Sequence, residues 1–350
     1  MIYLINAFLM LFWNFVISEQ YKNKKLILCC LYAFQWIIIS GFRSYSVGAD
    51  TYAYKIYYFD VMANKSWAYV VQNFLRYIKG VEGIKDPGYM FIEKLYQSIF
   101  GCGYTGFLVF IACVFTIPLA IWVYRYSDNV CLSFMIYSAL FYSFFAITGH
   151  RQTIASAMVI FGGYECMKKN KIVPLLLLQI VAFFIHKSSI CFIILYFARF
   201  IKINKLYWAI ASICILLSFI FRNQLMSLLG NIMGYESYIE HFEGAGAYTF
   251  TAFLVLIYIA TIILYKRIVI DENIKFEIVA VSLALIFTPL TFINPSAMRV
   301  VQYFSIFILL LLSKLLNAFD SQSKSVINVS CYLILLFFIA RSVGSYSFVF

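Results

Sequence analysis

Residues 104–124 read YTGFLVFIACVFTIPLAIWVY, a stretch without Asp, Glu, Lys or Arg, and Arg125 closes it. About 20 apolar residues carry a helix across the hydrocarbon core of a bilayer, and this stretch has that length and that composition. The pattern repeats in both directions. Further apolar runs lie at roughly 1–18, 26–42, 131–148, 151–167, 172–187, 188–203, 206–221, 249–265, 276–293, 299–317 and 325–341, so the expectation is about twelve spans. The chain of 350 residues is 64% hydrophobic and 12% charged, about half the charge of a soluble domain. A water-soluble fold has no interior large enough for that apolar surface. The runs are long and lack the two-residue alternation of barrel strands. The expected fold class is therefore an all-α polytopic membrane protein, with residues 1–350 as a single transmembrane domain.

Orientation follows from charge. Met1 to Ser18 is apolar with no basic residue before it, and Lys22, Lys24 and Lys25 follow. That order is the reverse of a cleaved signal peptide and predicts an uncleaved first helix with its N-terminus outside. With twelve alternating spans, fifteen of the 27 Lys and Arg fall in the loops assigned to the inside. Five (Arg151, Lys187, Arg222, Arg299 and Arg341) fall in the short outer loops and tail, and seven in the long segment 43–103, a weak reporter of orientation. The basic loops are therefore expected in the cytoplasm. The net charge of +12 is then a topology signal, and no nucleic-acid partner is implied. The nine cysteines form no C-x-x-C pair and no Cys/His cluster with zinc spacing. No G-x-x-x-x-G-K-[ST] is present, which argues against ATP-driven transport by this chain.

Two outer segments stand out. In 43–103, residues 52–62 and 66–77 repeat aromatic and aliphatic side chains at helical spacing, and Pro87 opens a third helical stretch. These predict amphipathic helices along the outer membrane boundary, with the stretch 88–100 alternatively re-entrant. The second segment, 222–248, is rich in glycine and acid and is expected to be a flap; it carries His241, a solvated loop histidine on the simplest reading.

This topology places all three histidines outside, together with Arg43, Asp50, Arg151, Lys187 and Arg299. Charges at the membrane edge are costly and point to function. Arg43 and Arg151, with Gln152, Lys187, Arg299 and Tyr303, are candidates to bind a diphosphate through N–H and O–H donors. Asp50, following the Gly48 turn, is a candidate general base, with His150 and His186 as alternatives. Each has a plainer reading: Arg43 and Arg151 as interfacial anchors, Asp50 as a turn cap, and His186-Lys187-Ser188 as a tight polar hairpin. No Asp-x-Asp lies on the outer side, so no metal ligand is assigned there and phosphate charge would be met by Arg and Lys.

The run Gly41-x-Arg43, Gly48-x-Asp50-Thr51 and Tyr54 resembles the opening signature of the EpsG family of bacterial membrane proteins. Asp86-Pro87-Gly88-Tyr89, Arg151-Gln152 with Ala155, His186-Lys187-Ser188, Arg299 with Tyr303, and the tail Ser345-Tyr346-Ser347-Phe348 follow in that family's order. The family is similar to the Wzy-type polymerases of O-antigen, capsule and exopolysaccharide. The resemblance implies a GT-C-like glycosyltransferase that needs no metal or other cofactor. It would sit in the bacterial inner membrane with its active site facing outward. It would join undecaprenyl-diphosphate-linked repeat units, donor and acceptor both lipid-linked, with inversion at the anomeric carbon. Membrane lipids, and a chain-length regulator and flippase of the same pathway, are the implied partners. The rival reading is a transporter or flippase of lipid-linked glycan.

Overall fold

Every apolar run of the sequence is helical in the computed structural model, which describes residues 1–18, 20–233, 247–268, 274–341 and 345–349. The core of the 222–248 flap, including His241, lies outside the described residues. Among the described residues, five helices are long and apolar enough to cross a membrane: Lys24–Gly41, Tyr104–Tyr126, Tyr248–Ile268, Ile274–Phe292 and Ser323–Arg341. Two bent pairs, Lys205–Ile220 with Arg222–Gly230 and Pro295–Ser305 with Ile308–Asn317, bring the number to as many as seven. Ile2–Val16, Val130–Leu140 and Ile172–Ile185 are apolar but shorter. The chain is thus an all-helical, multi-pass membrane protein. The sequence-based figure of about twelve counts hydrophobic runs, and several of those runs are broken. The run 131–148 divides into Val130–Leu140 and a wide-turn π segment, Ser143–Thr148. The run 151–167 divides into His150–Ser156, a second π segment at Ala157–Gly162, and Gly163–Lys168.

The chain forms two compact units, Met1–Ile190 with Tyr332–Phe350, and Cys191–Cys331. In the first unit an aromatic core joins the Ile2–Val16, Lys24–Gly41 and Val130–Leu140 helices. Trp36 packs edge-on to Tyr137, stacks on Tyr142, and donates its indole N–H to Ser138. One end of this unit gathers the basic loops. Lys25 donates to the Ser127 carbonyl at 2.7 Å, and Glu165 takes Arg125 at 2.7 Å and Lys169 at 3.0 Å. The opposite end holds Arg43, His150, Arg151 and His186, which lie at the other ends of the helices concerned.

Segment 43–103 caps that opposite end. Ser66 caps the Trp67–Ile78 helix by accepting from the Tyr69 amide, and Pro87 sits in the first turn of Pro87–Phe100. The two helices pack on one another, and the second also packs on Ile172–Ile185. The approach is close at Gly88, where a Cβ would stand 2.9 Å from the Phe184 carbonyl carbon and oxygen. The C-terminal tail closes the unit from the other side. Ser44 N–H donates to the Ser347 carbonyl, Val349 N–H to that of Phe42, and the Tyr346 hydroxyl to that of Ile39.

In the second unit Tyr207 donates to Ser282, and the Ser212 and Tyr258 hydroxyls meet at 3.1 Å. Phe304 stacks with Phe192 and Phe287. Glu277, fully buried, faces Lys314 at 3.8 Å.

Gly88 yields a prediction. Because backbone and not a flexible side chain opposes a Cβ there, Gly88→Ala should destabilise the detergent-solubilised protein by about 1–3 kcal/mol. Gly103, with nothing within 4 Å of its virtual Cβ, should accept alanine without loss. Thermal unfolding of the two variants side by side checks this, and equal behaviour would refute the close approach.

Candidate active site

The site begins with a break in a helix. The π segment Ser143–Thr148 ends at Gly149, and the His150–Ser156 helix restarts. Such breaks leave backbone carbonyls without an intrahelical donor, and inside a membrane protein other groups must supply one. Here the Ile147 carbonyl accepts from Arg43 Nη2 at 2.9 Å and from the Thr51 hydroxyl at 3.1 Å. Gly48 makes this possible: its φ of +100° is a left-handed conformation, and a Cβ there would meet the Ile147 oxygen at 2.8 Å. Arg43 also donates to the Ser40 carbonyl and is only 2% exposed. Its guanidinium faces protein groups on the sides where these bonds form, whereas the sequence reading assigned it to a phosphate.

Arg43 fixes the state of His150. Its Nη2 lies 3.1 Å from His150 Nε2. A guanidinium has no acceptor, so Nε2 must hold the lone pair and the proton sits on Nδ1. That Nδ1–H points to the Tyr89 hydroxyl at 3.4 Å. Tyr54 stacks on the imidazole with centroids 4.4 Å apart. His150 is 1% exposed and is occupied at both nitrogens, which suits an orienting group better than a proton acceptor for substrate.

Arg151, the next residue, projects into a cage of tyrosines, 4.5 Å from the Tyr58 ring centroid, 5.2 Å from Tyr54 and 5.8 Å from Tyr89. Its Nη1 donates to Asp86 Oδ2 at 2.7 Å, and His186 Nδ1 lies 3.6 Å from the same oxygen. The Arg151 side chain is 13% exposed and those of Asp86 and His186 are 8% exposed. Burial pushes the Asp86 carboxyl up, but His186 and Arg151 beside it pull harder, and it lies below the usual carboxylate range. The pair therefore persists above that range and is lost as pH falls through the depressed value. Asp86 is held in a left-handed conformation, φ 50° and ψ 57°, immediately before Pro87. Such a conformation costs of order 1–3 kcal/mol in a non-glycine residue, and Asp tolerates it better than most. It aims the carboxylate at Arg151.

The structure thus gathers Arg43, His150, Arg151 and His186 from the expected residues. Gln152 is buried on the same short helix, and Lys187, half-buried, follows His186. Asp50, half-buried at the start of Thr51–Tyr54, makes no side-chain bond to the cluster among the described residues. Arg299, half-buried, and Tyr303, buried, lie on the Met298–Ser305 helix of the second unit. No group of three His, Cys, Asp or Glu with metal-binding geometry occurs among the described residues.

Sequence reasoning missed five members of the cluster. Asp86, Tyr89 and Tyr54 entered only as parts of family-like segments, and Tyr58 only as amphipathic filler. Glu93 was not noticed. It is fully buried, and neither carboxyl oxygen has a hydrogen-bond partner among the described residues. Burial pushes its pKa up to about 8, against the pull of the Tyr89 hydroxyl and Arg151. The available signal was helical spacing. Tyr89, Glu93, Tyr96 and Gln97 share the buried face of Pro87–Phe100, so a glutamate and a glutamine sit where an amphipathic helix turns inward.

No curated protein and no solved structure matches the chain. The sequence profile of the EpsG family matches residues 25–348, which takes in every element of the cluster and nearly the whole chain. The chain belongs to the EpsG family, a family of Wzy-type polysaccharide polymerases.

Proposed function

We propose that the protein polymerises undecaprenyl-diphosphate-linked repeat units at the outer face of the bacterial inner membrane, by an inverting glycosyl transfer that uses no metal. The observation that carries this reading is Arg151: a cation 13% exposed, set among three tyrosines, with one bond to Asp86 and its Nε without a partner among the described residues. It retains donors for a second anion. A diphosphate leaving group needs such donors as charge builds on it, and donors fixed in advance are often the largest catalytic term. The acceptor hydroxyl oxygen attacks the anomeric carbon opposite the diphosphate. The carbon–oxygen bond to phosphate breaks, the lipid diphosphate departs with both electrons, and the hydroxyl proton passes to a base. His186 is the proposed base. Asp86, 3.6 Å from its Nδ1, would hold the tautomer that leaves Nε2 as acceptor and would stabilise the imidazolium that forms. Arg43 and His150 set the position of Arg151 and the tyrosines.

An open apolar cavity of about 680 Å³ supports a lipid-linked substrate. It is lined by Val70, Phe74, Gly88, Ile92, Phe184 and Ile185 among others, so its wall includes the neighbours of Asp86 and His186 in the chain. A polyprenyl tail could occupy it while the diphosphate reached Arg151. The GT-C architecture, the twelve-span topology with the N-terminus outside, and partnership with a flippase and a chain-length regulator belong to the same proposal.

Purified protein given a lipid-diphosphate-linked repeat unit in EDTA should produce a ladder of longer lipid-linked glycans. Transfer of that substrate across vesicle bilayers without a ladder would favour a flippase instead.

Arg151→Ala should lower the polymerisation rate by about 10²–10³-fold. Arg151→Lys keeps a charge opposite Asp86 but loses the planar fork, so it should remain folded in the membrane with an intermediate rate. Wild-type polymer from both variants would exclude Arg151 from the reaction.

A further inference from the structure

Glu93 has no place in the chemistry above, yet it is fully buried on the helix that carries Tyr89. Four residues apart, the two side chains share a helix face. The direction of the hydrogen bonds beyond Tyr89 is already set. Arg43 donates to His150 Nε2, so His150 Nδ1–H donates to the Tyr89 oxygen. That leaves the Tyr89 proton to be donated elsewhere, and one turn along the same buried helix face the Glu93 carboxyl has no partner for either oxygen among the described residues. Arg151 also lies against Tyr89, 5.8 Å from its ring centroid.

We propose that Glu93 is a positioning residue of this site that works as the uncharged carboxylic acid. With both its oxygens unpartnered among the described residues, it would take up the Tyr89 O–H, so that Tyr89 stays an acceptor for His150, and by carrying no charge it leaves Arg151 to Asp86 and to the substrate's phosphates. An ionised Glu93 would be a second carboxylate competing for the same guanidinium. The inference rests on reading the Arg151 cluster as the polymerase site.

The surroundings favour the uncharged form. Burial dominates. The titratable and charged groups that face Glu93 are Tyr89 on its own helix, Arg151 on His150–Ser156 and Tyr104 on Tyr104–Tyr126. Of the other helices packed against Pro87–Phe100, Ile172–Ile185 has no titratable side chain. On Asp60–Ala63, Asp60 is bound by Lys55 at 2.7 Å, and on Trp67–Ile78 the one charged residue, Arg76, is exposed. Arg151 is thus the sole cation opposing burial of Glu93 among these groups, and it is already paired.

The test is the alkaline side of the pH–rate profile of the purified full-length protein. Ionisation near pH 8 should cost wild-type polymerase about tenfold in rate between pH 7 and pH 9. Glu93→Gln, which imitates the neutral acid, should keep near-wild-type rates at pH 7 and lose that alkaline fall, while its acid limb, set by other groups, stays put. An alkaline limb unchanged in Glu93→Gln overturns the proposal. Should that variant not accumulate, infrared titration of wild-type protein decides. A carboxylic-acid carbonyl band that disappears in step with activity supports the proposal, and the absence of any such band at pH 7 refutes it. Wild-type protein that forms no ladder at any pH would sink the polymerase reading, and the infrared titration would still report on Glu93.

Discussion

A carbonyl inside a membrane protein cannot be left to water, and the Ile147 carbonyl is the one around which the first unit is arranged. The helix breaks at Gly149, the carbonyl loses its intrahelical donor, and Arg43 and Thr51 replace it. Those two residues belong to the loop after the second helix, so one hydrogen-bonding requirement ties that loop to the break between two later helices. Everything near the site inherits its place from that tie. Arg43 reaches on to His150 and fixes its tautomer, and the turn that brings Thr51 in also starts the segment carrying Tyr54 and Tyr58. The Thr51 carbonyl in turn accepts from Tyr104 at 2.9 Å. The C-terminal tail, bonded to Ile39, Phe42 and Ser44, holds the same loop from behind.

Against that rigid frame the Asp86–Arg151 pair looks expensive. Desolvating two charges offsets most of their attraction, and an apolar pair of the same volume is often as stable. The backbone at Asp86 is strained as well, and His186 adds a third ionisable group. Packing alone has no use for this arrangement. It makes sense where an arginine must be kept charged, oriented and incompletely satisfied in a nearly dry place. The tyrosine cage serves the same end, since aromatic faces stabilise a cation without occupying its N–H donors. Tyr89 is shared between both halves of the arrangement: it accepts from His150 and lies against Arg151.

How far this could be read from the chain depends on the type of signal each residue leaves. The apolar runs are long and their helices follow from length and composition alone. Arg151 and His186 are conspicuous because a charged or titratable residue between two apolar runs has few structural excuses. The number of complete crossings is less legible, because π segments and bends interrupt runs that hydropathy counts as continuous. Arg43 shows a further limit. Its type and location fit a phosphate ligand as well as a donor to protein carbonyls, and only the break at Gly149, which no local sequence rule announces, favours the second use. Asp86 needed the neighbouring helix to gain meaning, since its partners lie 65 and 100 positions further along the chain and meet it only because Gly88 lets two backbones touch.

Glu93 is the instructive omission. In a soluble protein, a glutamate on an amphipathic helix is assigned to the wet face by default, and the helix Pro87–Phe100 reverses that default. Its exposed positions include Phe91, Leu95, Ile99 and Phe100, while Glu93 and Gln97 are buried. For a helix lying against a bilayer the apolar face belongs outward in lipid, so a polar residue on the opposite face points into the protein and toward whatever the helix covers. The same periodicity thus has two meanings, and the composition of the neighbouring segments decides between them. In a chain with so little charge, polar side chains on the inner face of such a helix mark what lies beneath it: here, the arginine that Tyr89 of the same face lies against.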